Sequence, residues 1–273
     1  MTGDDPDSQT ESVVLHMADI HYGKETNSYS PQKFITRMDA VGKRMVRIKN
    51  LLGDDYKLTE LVVSIAGDAN DGTGIYKTQD HHQTITDVEK QANDLANILT
   101  KWLLWQKRVW GSVRVEAVPG NHGRAGQFAH EASNWDRTCY RYLSKNLKGQ
   151  IEVNFEDADN PFIRKFRVRG HDYLLYHGHD IRSYANIPYY GIMVRVLRWS
   201  ASRLAPFDVV LMGHFHTCSL WPINKYDVLL SGTMATDDEW SLQTFGLEAV
   251  PRWWMFGVSD SRPTTWMYRL DLR

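Results

Sequence analysis

Aspartate, asparagine and histidine recur in this chain in tight groups. They are Asp19-Ile20-His21, Gly67-Asp68, Gly120-Asn121-His122, His177-Gly178-His179 and His214-Phe215-His216. Carboxylate, imidazole and amide oxygen together suit hard or borderline divalent cations such as Mn, Fe, Zn or Ni, with no thiolate needed. The two cysteines cannot build a thiolate zinc site or a disulfide framework. Eleven histidines in 273 residues supply enough imidazole for a site. Each group alone has an ordinary reading. An Asp-x-His triplet is commonly a helix cap and a surface histidine, and Gly-Asp is a common turn in which glycine lets the backbone reverse. Gly-Asn-His alone also suits a hairpin-like turn, although an amide oxygen is a selective ligand that leaves the neighbouring histidine free for substrate. Two His-x-His pairs are hard to explain as core histidines. In His214-Phe215-His216, strand alternation would aim both imidazoles one way and Phe215 the other. His177 abuts an apolar run and is the preferred ligand of its pair, with His179 behind it. Asp71 is expected to cap or brace.

What positions these groups is a set of short apolar runs, each ending where a group begins. Val13 to Met17, Leu61 to Ala66, Val113 to Val118, Tyr173 to Tyr176 and Val209 to Met212 read as buried strands bounded by turn formers. Between them the spacing predicts helices over Pro31 to Leu52, Thr86 to Trp110, Glu131 to Leu147 and Tyr190 to Leu204. The first opens on Ser30-Pro31, a cap followed by proline at the first helical position. Such alternation predicts an α/β layered domain. Further strands over Phe162 to Val168 and from Trp253 onward make mixed sheets the expectation. No repeat or linker divides the chain, so residues 13–273 are read as one domain after a flexible acidic tail over 1–12. In open α/β sheets, sites form beyond the carboxyl ends of strands, where these groups lie.

In order, the groups spell D-x-H, GD, GNH, H and GHxH, each after a strand. The chain thereby resembles the calcineurin-like metallophosphoesterase superfamily from Asp19 to His216. The resemblance implies a four-layer α/β sandwich, two mixed β-sheets flanked by helices, carrying two divalent ions, manganese first. By motif, Asp19, His21 and His216 hold one ion, Asn121, His177 and His214 hold the other, and Asp68 bridges them. It further implies hydrolysis of a phosphate ester. Two ions of this kind acidify water and hold a phosphate in line. His122 is then the general acid or transition-state donor, and Arg124 a candidate phosphate contact.

Within the superfamily, Pro119-Gly-Asn-His-Gly-Arg and Gly-His-Phe-His-Thr look like stand-alone SbcD-type DNA-repair exonucleases, including phage-encoded ones. Nucleic acid, DNA first, is therefore the expected substrate. The chain after His216 is too short for the capping and ATPase-docking segments of those enzymes, so no ATPase partner is expected; a homodimer is compatible. Loops such as Asp237 to Arg252 would shape the substrate. Basic groups on the first helix (Lys33, Arg37, Lys43, Arg44, Arg47, Lys49) and after the fourth motif (Arg182, Arg195, Arg198, Arg203) could follow a phosphate backbone, although charged helix faces are usually only solvated. Trp221, Trp240, Trp253, Trp254 and Trp266 could stack on bases, although core packing is the commoner use of tryptophan. The net charge of -1 gives no support to a nucleic-acid partner. It suits the alternative better: a small-molecule phosphodiesterase or phosphatase acting on a cyclic nucleotide, a dinucleotide or a phosphoprotein. With no spanning run and no secretory or transit signal, a cytoplasmic location without membrane contact is expected.

Overall fold

The computed structural model describes residues 10–53, 55–77, 79–130, 132–156, 162–184, 187–236 and 250–273. Strands β1 (Thr10–Met17), β2 (Lys57–Ala66), β3 (Ser112–Val118) and β4 (Glu152–Asn154) share a sheet with β10 (Arg252–Val258) and β11 (Met267–Asp271). Its order is β11-β10-β1-β2-β3-β4, parallel from β1 to β4 and antiparallel at β10 and β11. A second sheet holds β5 (Ile163–Val168), β6 (His171–Tyr176), β7 (Val209–Met212), β8 (Ser219–Ile223) and β9 (Tyr226–Leu230), in the order β5-β6-β7-β9-β8. There β6, β7 and β9 run parallel, with β5 and β8 antiparallel at the edges. The helices are α1 (Pro31–Leu52), α2 (Val88–Trp110), α3 (Trp135–Asn146) and α4 (Tyr189–Ser200).

Three apolar cores separate four layers. In β1, Val13, Leu15 and Met17 pack with Leu61, Val63 and Ile65 of β2 and with Phe34, Met38 and Leu95 of α1 and α2. Val14 points the other way, into a seam shared with Val62, Phe256, Leu175 and Leu211 between the sheets. On the far face of the second sheet, Leu174, Val210 and Val228 meet Ile192, Val196 and Trp199 of α4. Strands buried on both faces read as continuous apolar runs rather than alternations, which is why the sequence exposed them so clearly. The predicted two mixed sheets flanked by helices are present.

Local chemistry sets the helix ends. Ser30 Oγ accepts from Lys33 N ahead of Pro31, and Asp87 caps α2 the same way through Lys90 N. That cap moves the start of α2 two residues past the predicted Thr86. Asn134 caps α3, so this helix begins later than predicted, and Glu131 lies outside the described residues. Strands β4, β8 and β9 lie outside the sequence expectations: β4 has three residues, Pro222 interrupts β8, and Asp227 interrupts the five-residue β9.

Several expectations need correction. Residues 10–12 belong to β1 rather than to a tail, with Glu11 buried and accepting from Trp266 Nε1 at 2.6 Å; residues 1–9 lie outside the described residues. Trp253 and Trp254 are buried in β10, where their indole N–H groups reach Ala18 O and Leu230 O, so neither can stack on a base. Trp240 and most of the loop from Asp237 lie outside the described residues. The basic residues of α1 are largely committed within the fold. Arg37 is buried and donates to Met234 O, Lys49 reaches Val109 O, Arg44 reaches Arg273 O and Lys43 pairs with Asp39. No described helix is long and apolar enough to cross a membrane.

Candidate metal centre

Parallel pairing brings the carboxyl ends of β1, β2 and β3 together, and those of β6 and β7 meet them across the seam. The loops leaving these strands are stitched to one another. Asp19 N donates to Gly67 O at 3.1 Å, His21 N to Asp68 O at 2.9 Å, and Gly213 N to His177 O at 3.1 Å. Asp19, His21, Asp68, His214 and His216 all have φ between 48 and 71°, a left-handed backbone that costs a non-glycine residue of order 1 kcal/mol or more. Five such residues among seven candidate ligands mark a site whose surroundings over-determine its geometry. They also set aside the expectation that His214 and His216 point the same way. His214 and His216 lie beyond β7, so strand alternation does not govern them, and their imidazoles face different partners.

The first set gathers Asp19, His21 and His216. His21 Nε2 and His216 Nε2 are 3.1 Å apart, and Asp19 Oδ1 is 3.5 Å from His216 Nε2 and 4.0 Å from His21 Nε2. Asp19 Oδ2 accepts from His214 N at 2.8 Å, whereas Oδ1 is buried without a hydrogen-bond donor in good geometry. Burial would raise the Asp19 pKa, but His216 and His177 outweigh it and hold the carboxyl below the ordinary range. Burial lowers the pKa of His21 and so favours the neutral imidazole. His21 Nδ1 is 3.2 Å from Asp71 Oδ1, which places the ring proton there and leaves the Nε2 lone pair facing Asp19 and His216.

The second set gathers Asp68, Asn121, His177 and His214. His177 Nε2 is 3.0 Å from Asp68 Oδ2 and 2.8 Å from Asn121 Oδ1. His177 Nδ1 faces Ala66 O at 2.6 Å, and a carbonyl can only accept, so Nδ1 carries a proton. In the neutral ring, Nε2 then presents a lone pair to two oxygens. A proton on Nε2, or a cation among the three atoms, is needed to reconcile them. Without a cation, burial opposes protonation but Asp68 prevails, raising the His177 pKa to about 9. The His214 ring lies 5.1 Å from that of His177, and burial lowers its pKa to about 3. Asp68 Oδ1 accepts from His122 N at 2.8 Å, and the Asp68 charge acts on Asp19 and His21 of the first set. Both donor sets fit a divalent ion, and the Asp68 carboxylate belongs by contact to the second.

His122 sits at the mouth, partly open, with Nδ1 3.2 Å from Asp71 O and 3.4 Å from Asp71 Oδ1. Burial lowers its pKa, but Asp68 and Asp71 outweigh burial and raise it above the usual imidazole value. Arg124 is half-buried, and its charge acts on both Tyr76 and His179. Lys24 lies near enough to oppose the charging of His122. His179 touches His177 ring to ring, 5.7 Å between centroids, and burial lowers its pKa to about 4.

Sequence reasoning missed the framework behind these groups. Asp136, buried in the first turn of α3, accepts from Asn70 N at 2.9 Å and from Gly120 N at 2.9 Å, tying the loops after β2 and β3 to one carboxylate. Asn134 adds a bond from Nδ2 to Gly120 O at 2.9 Å. Gln83 Nε2 donates to Asp71 Oδ2 at 2.8 Å, and Tyr76 Oη accepts from Asn121 Nδ2 at 2.6 Å. An Asp behind an Asn cap is ordinary helix chemistry, so Asp136 carries no signal of its own. Asp71 was legible from its place in the loop after Gly67-Asp68.

No family model matches the sequence. A curated relative, the DNA polymerase II small subunit of Pyrococcus furiosus, is 26% identical over 182 residues, covering 64% of this chain and 25% of its own length. The chain thus spans about a quarter of that relative. Among solved structures, Vps29 of Entamoeba histolytica complexed with Zn is 13% identical, covering 96% of this chain and 99% of its own with a TM-score of 0.43. A novel archaeal phosphodiesterase is 11% identical, covering 94% of this chain and 99% of its own, also with a TM-score of 0.43.

Proposed function

We propose that this chain is a metallophosphoesterase that holds two divalent ions, manganese first, and hydrolyses phosphodiester bonds, with DNA as its leading substrate. The reading rests above all on two groups of carboxylate and imidazole atoms, Asp19 with His21 and His216, and Asp68 with His177 and His214, the second joined by the Asn121 amide. Asp19, His21 and His216 would hold one ion, Asn121, His177 and His214 the other, and Asp68 both. Bound ions of this kind acidify water and neutralise charge on phosphate oxygens.

The chain's own residues supply the rest. Asp71 engages His122 through Nδ1, leaving Nε2 to deliver a proton to the leaving oxygen. Arg124, whose charge acts on Tyr76 and His179, would contact a non-bridging phosphate oxygen. Asp71 also fixes the His21 tautomer, so one carboxylate orients a ligand and an acid together.

Preference for nucleic acid draws on rings other than the tryptophans. Phe128 is 95% exposed and Tyr184 82%, on the loops that follow β3 and β6 and also carry Asn121 and His177, and Tyr190 at the start of α4 is also exposed. Arg182 is exposed two residues before Tyr184. Exposed rings and guanidinium groups on the same loops suit unstacked bases and their phosphates. Small-molecule phosphodiesters remain the second reading, favoured by the net charge of -1 and by the ion pair that occupies Arg195 with Asp180.

The test is hydrolysis by manganese-loaded protein of single-stranded DNA, duplex DNA, cyclic nucleotides and bis-p-nitrophenyl phosphate. Asp68→Ala should lose both metal and turnover. Two bound ions with no turnover of any phosphodiester would refute the activity. Fast cyclic-nucleotide turnover without DNA cleavage would transfer it to the second reading.

A further inference from the structure

We infer that Tyr76 is a positioning residue that fixes the amide of Asn121 for the second ion and braces His122 beside it; this rests on the two-ion reading above. An asparagine amide has chemically opposite ends, and only Oδ1 can ligate a cation. Here Oδ1 faces His177 Nε2 at 2.8 Å, while Nδ2 donates to Tyr76 Oη at 2.6 Å. The phenol takes the hydrogen that would otherwise need another acceptor, so the amide is gripped from the end that cannot bind metal. The Tyr76 ring lies 4.7 Å from the His122 ring, with the planes inclined by 37°. One side chain therefore touches a ligand and the proposed acid.

Tyr76 is itself held in place. Its N–H and that of Ile75 both donate to Gln79 Oε1, at 3.2 and 3.0 Å, and Gln79 N returns a bond to Tyr76 O at 3.3 Å. Gln79 Nε2 donates to Asp71 O, which anchors the turn to the residue that braces His21 and His122. Tyr76 is 44% exposed and lies outside the apolar cores, so its contacts serve the site rather than the core. Because Tyr76 Oη accepts from Asn121, its own hydrogen is left to point elsewhere, and a phosphate oxygen in the cleft is an acceptor of the right kind.

The experiment compares wild type with Tyr76→Phe, which keeps the ring and deletes the hydroxyl at a half-open position. Manganese is titrated into metal-free protein by calorimetry, and the spin-coupled signal of paired Mn(II) is followed by electron paramagnetic resonance. Outer-shell substitutions weaken metal binding by about 10- to 100-fold. We expect the second ion to bind about tenfold more weakly in Tyr76→Phe, with the coupled signal appearing only at higher manganese. The first ion should be unaffected, and kcat should fall more than KM rises. Unchanged affinity for the second ion in Tyr76→Phe, with paired binding intact in wild type, would overturn this inference alone. Wild type that binds no ion would overturn it together with the reading it rests on.

Discussion

At the residue scale, His122 separates proton transfer from metal binding, whereas Asp71 couples the two. His122→Ala should retain both ions and lose about 10²-fold or more in kcat, as removal of a general acid does. Elemental analysis beside a chromogenic diester assay checks it, and full activity would dismiss the assigned role. Asp71→Asn should weaken both functions, since Asp71 Oδ1 lies 3.2 Å from His21 Nδ1 and 3.4 Å from His122 Nδ1. A buried histidine outside the site gives a pH prediction. His16 lies between Ser64 Oγ at 3.1 Å and Met212 O at 3.0 Å, and burial lowers its pKa to about 4 from 6.5. The unfolded chain therefore binds the proton first as pH falls. Stability is intact above pH 6.5, declines by roughly 3 kcal/mol down to pH 4, and changes no further below that on account of His16. Urea midpoints across this window should slope less steeply in His16→Gln than in wild type, whereas equal slopes would contradict the assignment. Candidate ligands were legible because each follows an apolar run. Their braces were not, because Tyr76, Gln79 and Asp136 stand at no diagnostic spacing and act only through folded contacts.

Among elements, the loops after β2 and β3 carry the tightest constraint. A Cβ on Gly67 would stand 2.7 Å from Gly120 N and 2.8 Å from His177 Nδ1, and Gly67 has φ 82°. One on Gly120 would overlap the Asp68 carboxylate, with Cγ at 2.7 Å. Gly67→Ala or Gly120→Ala should therefore displace Asp68 and abolish metal binding even where the protein stays folded; circular dichroism with metal titration distinguishes these effects. The same loops hang on α3 through Asp136. Asp136→Ala strands two buried N–H groups, of Asn70 and Gly120, and should cost about 3 kcal/mol of stability by urea denaturation. The sequence announced β1, β2, β3, β6 and β7 because they are buried on both faces. It hid β8, where Pro222 interrupts the run, and β4, which has only three residues. It also could not show that α3 is the hinge pin of the site. A helix cap is visible in sequence, but its grip on two distant loops is not.

For the whole molecule, two sheets close over one seam, and the ligand loops span it from both sides. Metal binding should therefore stabilise the entire fold. At free manganese 100 times the dissociation constant, one ion contributes about 2.7 kcal/mol, and a chain of this size should gain roughly 5–10 °C in Tm. Chelation should reverse the gain. Placement of the ions is the most direct measurement: anomalous scattering from crystals of the manganese-loaded protein. The two-ion account predicts one peak among Asp19, His21 and His216, another among Asn121, His177 and His214, and Asp68 within bonding distance of both. A map with no peak at these side chains, or with manganese bound elsewhere on the chain, would contradict it.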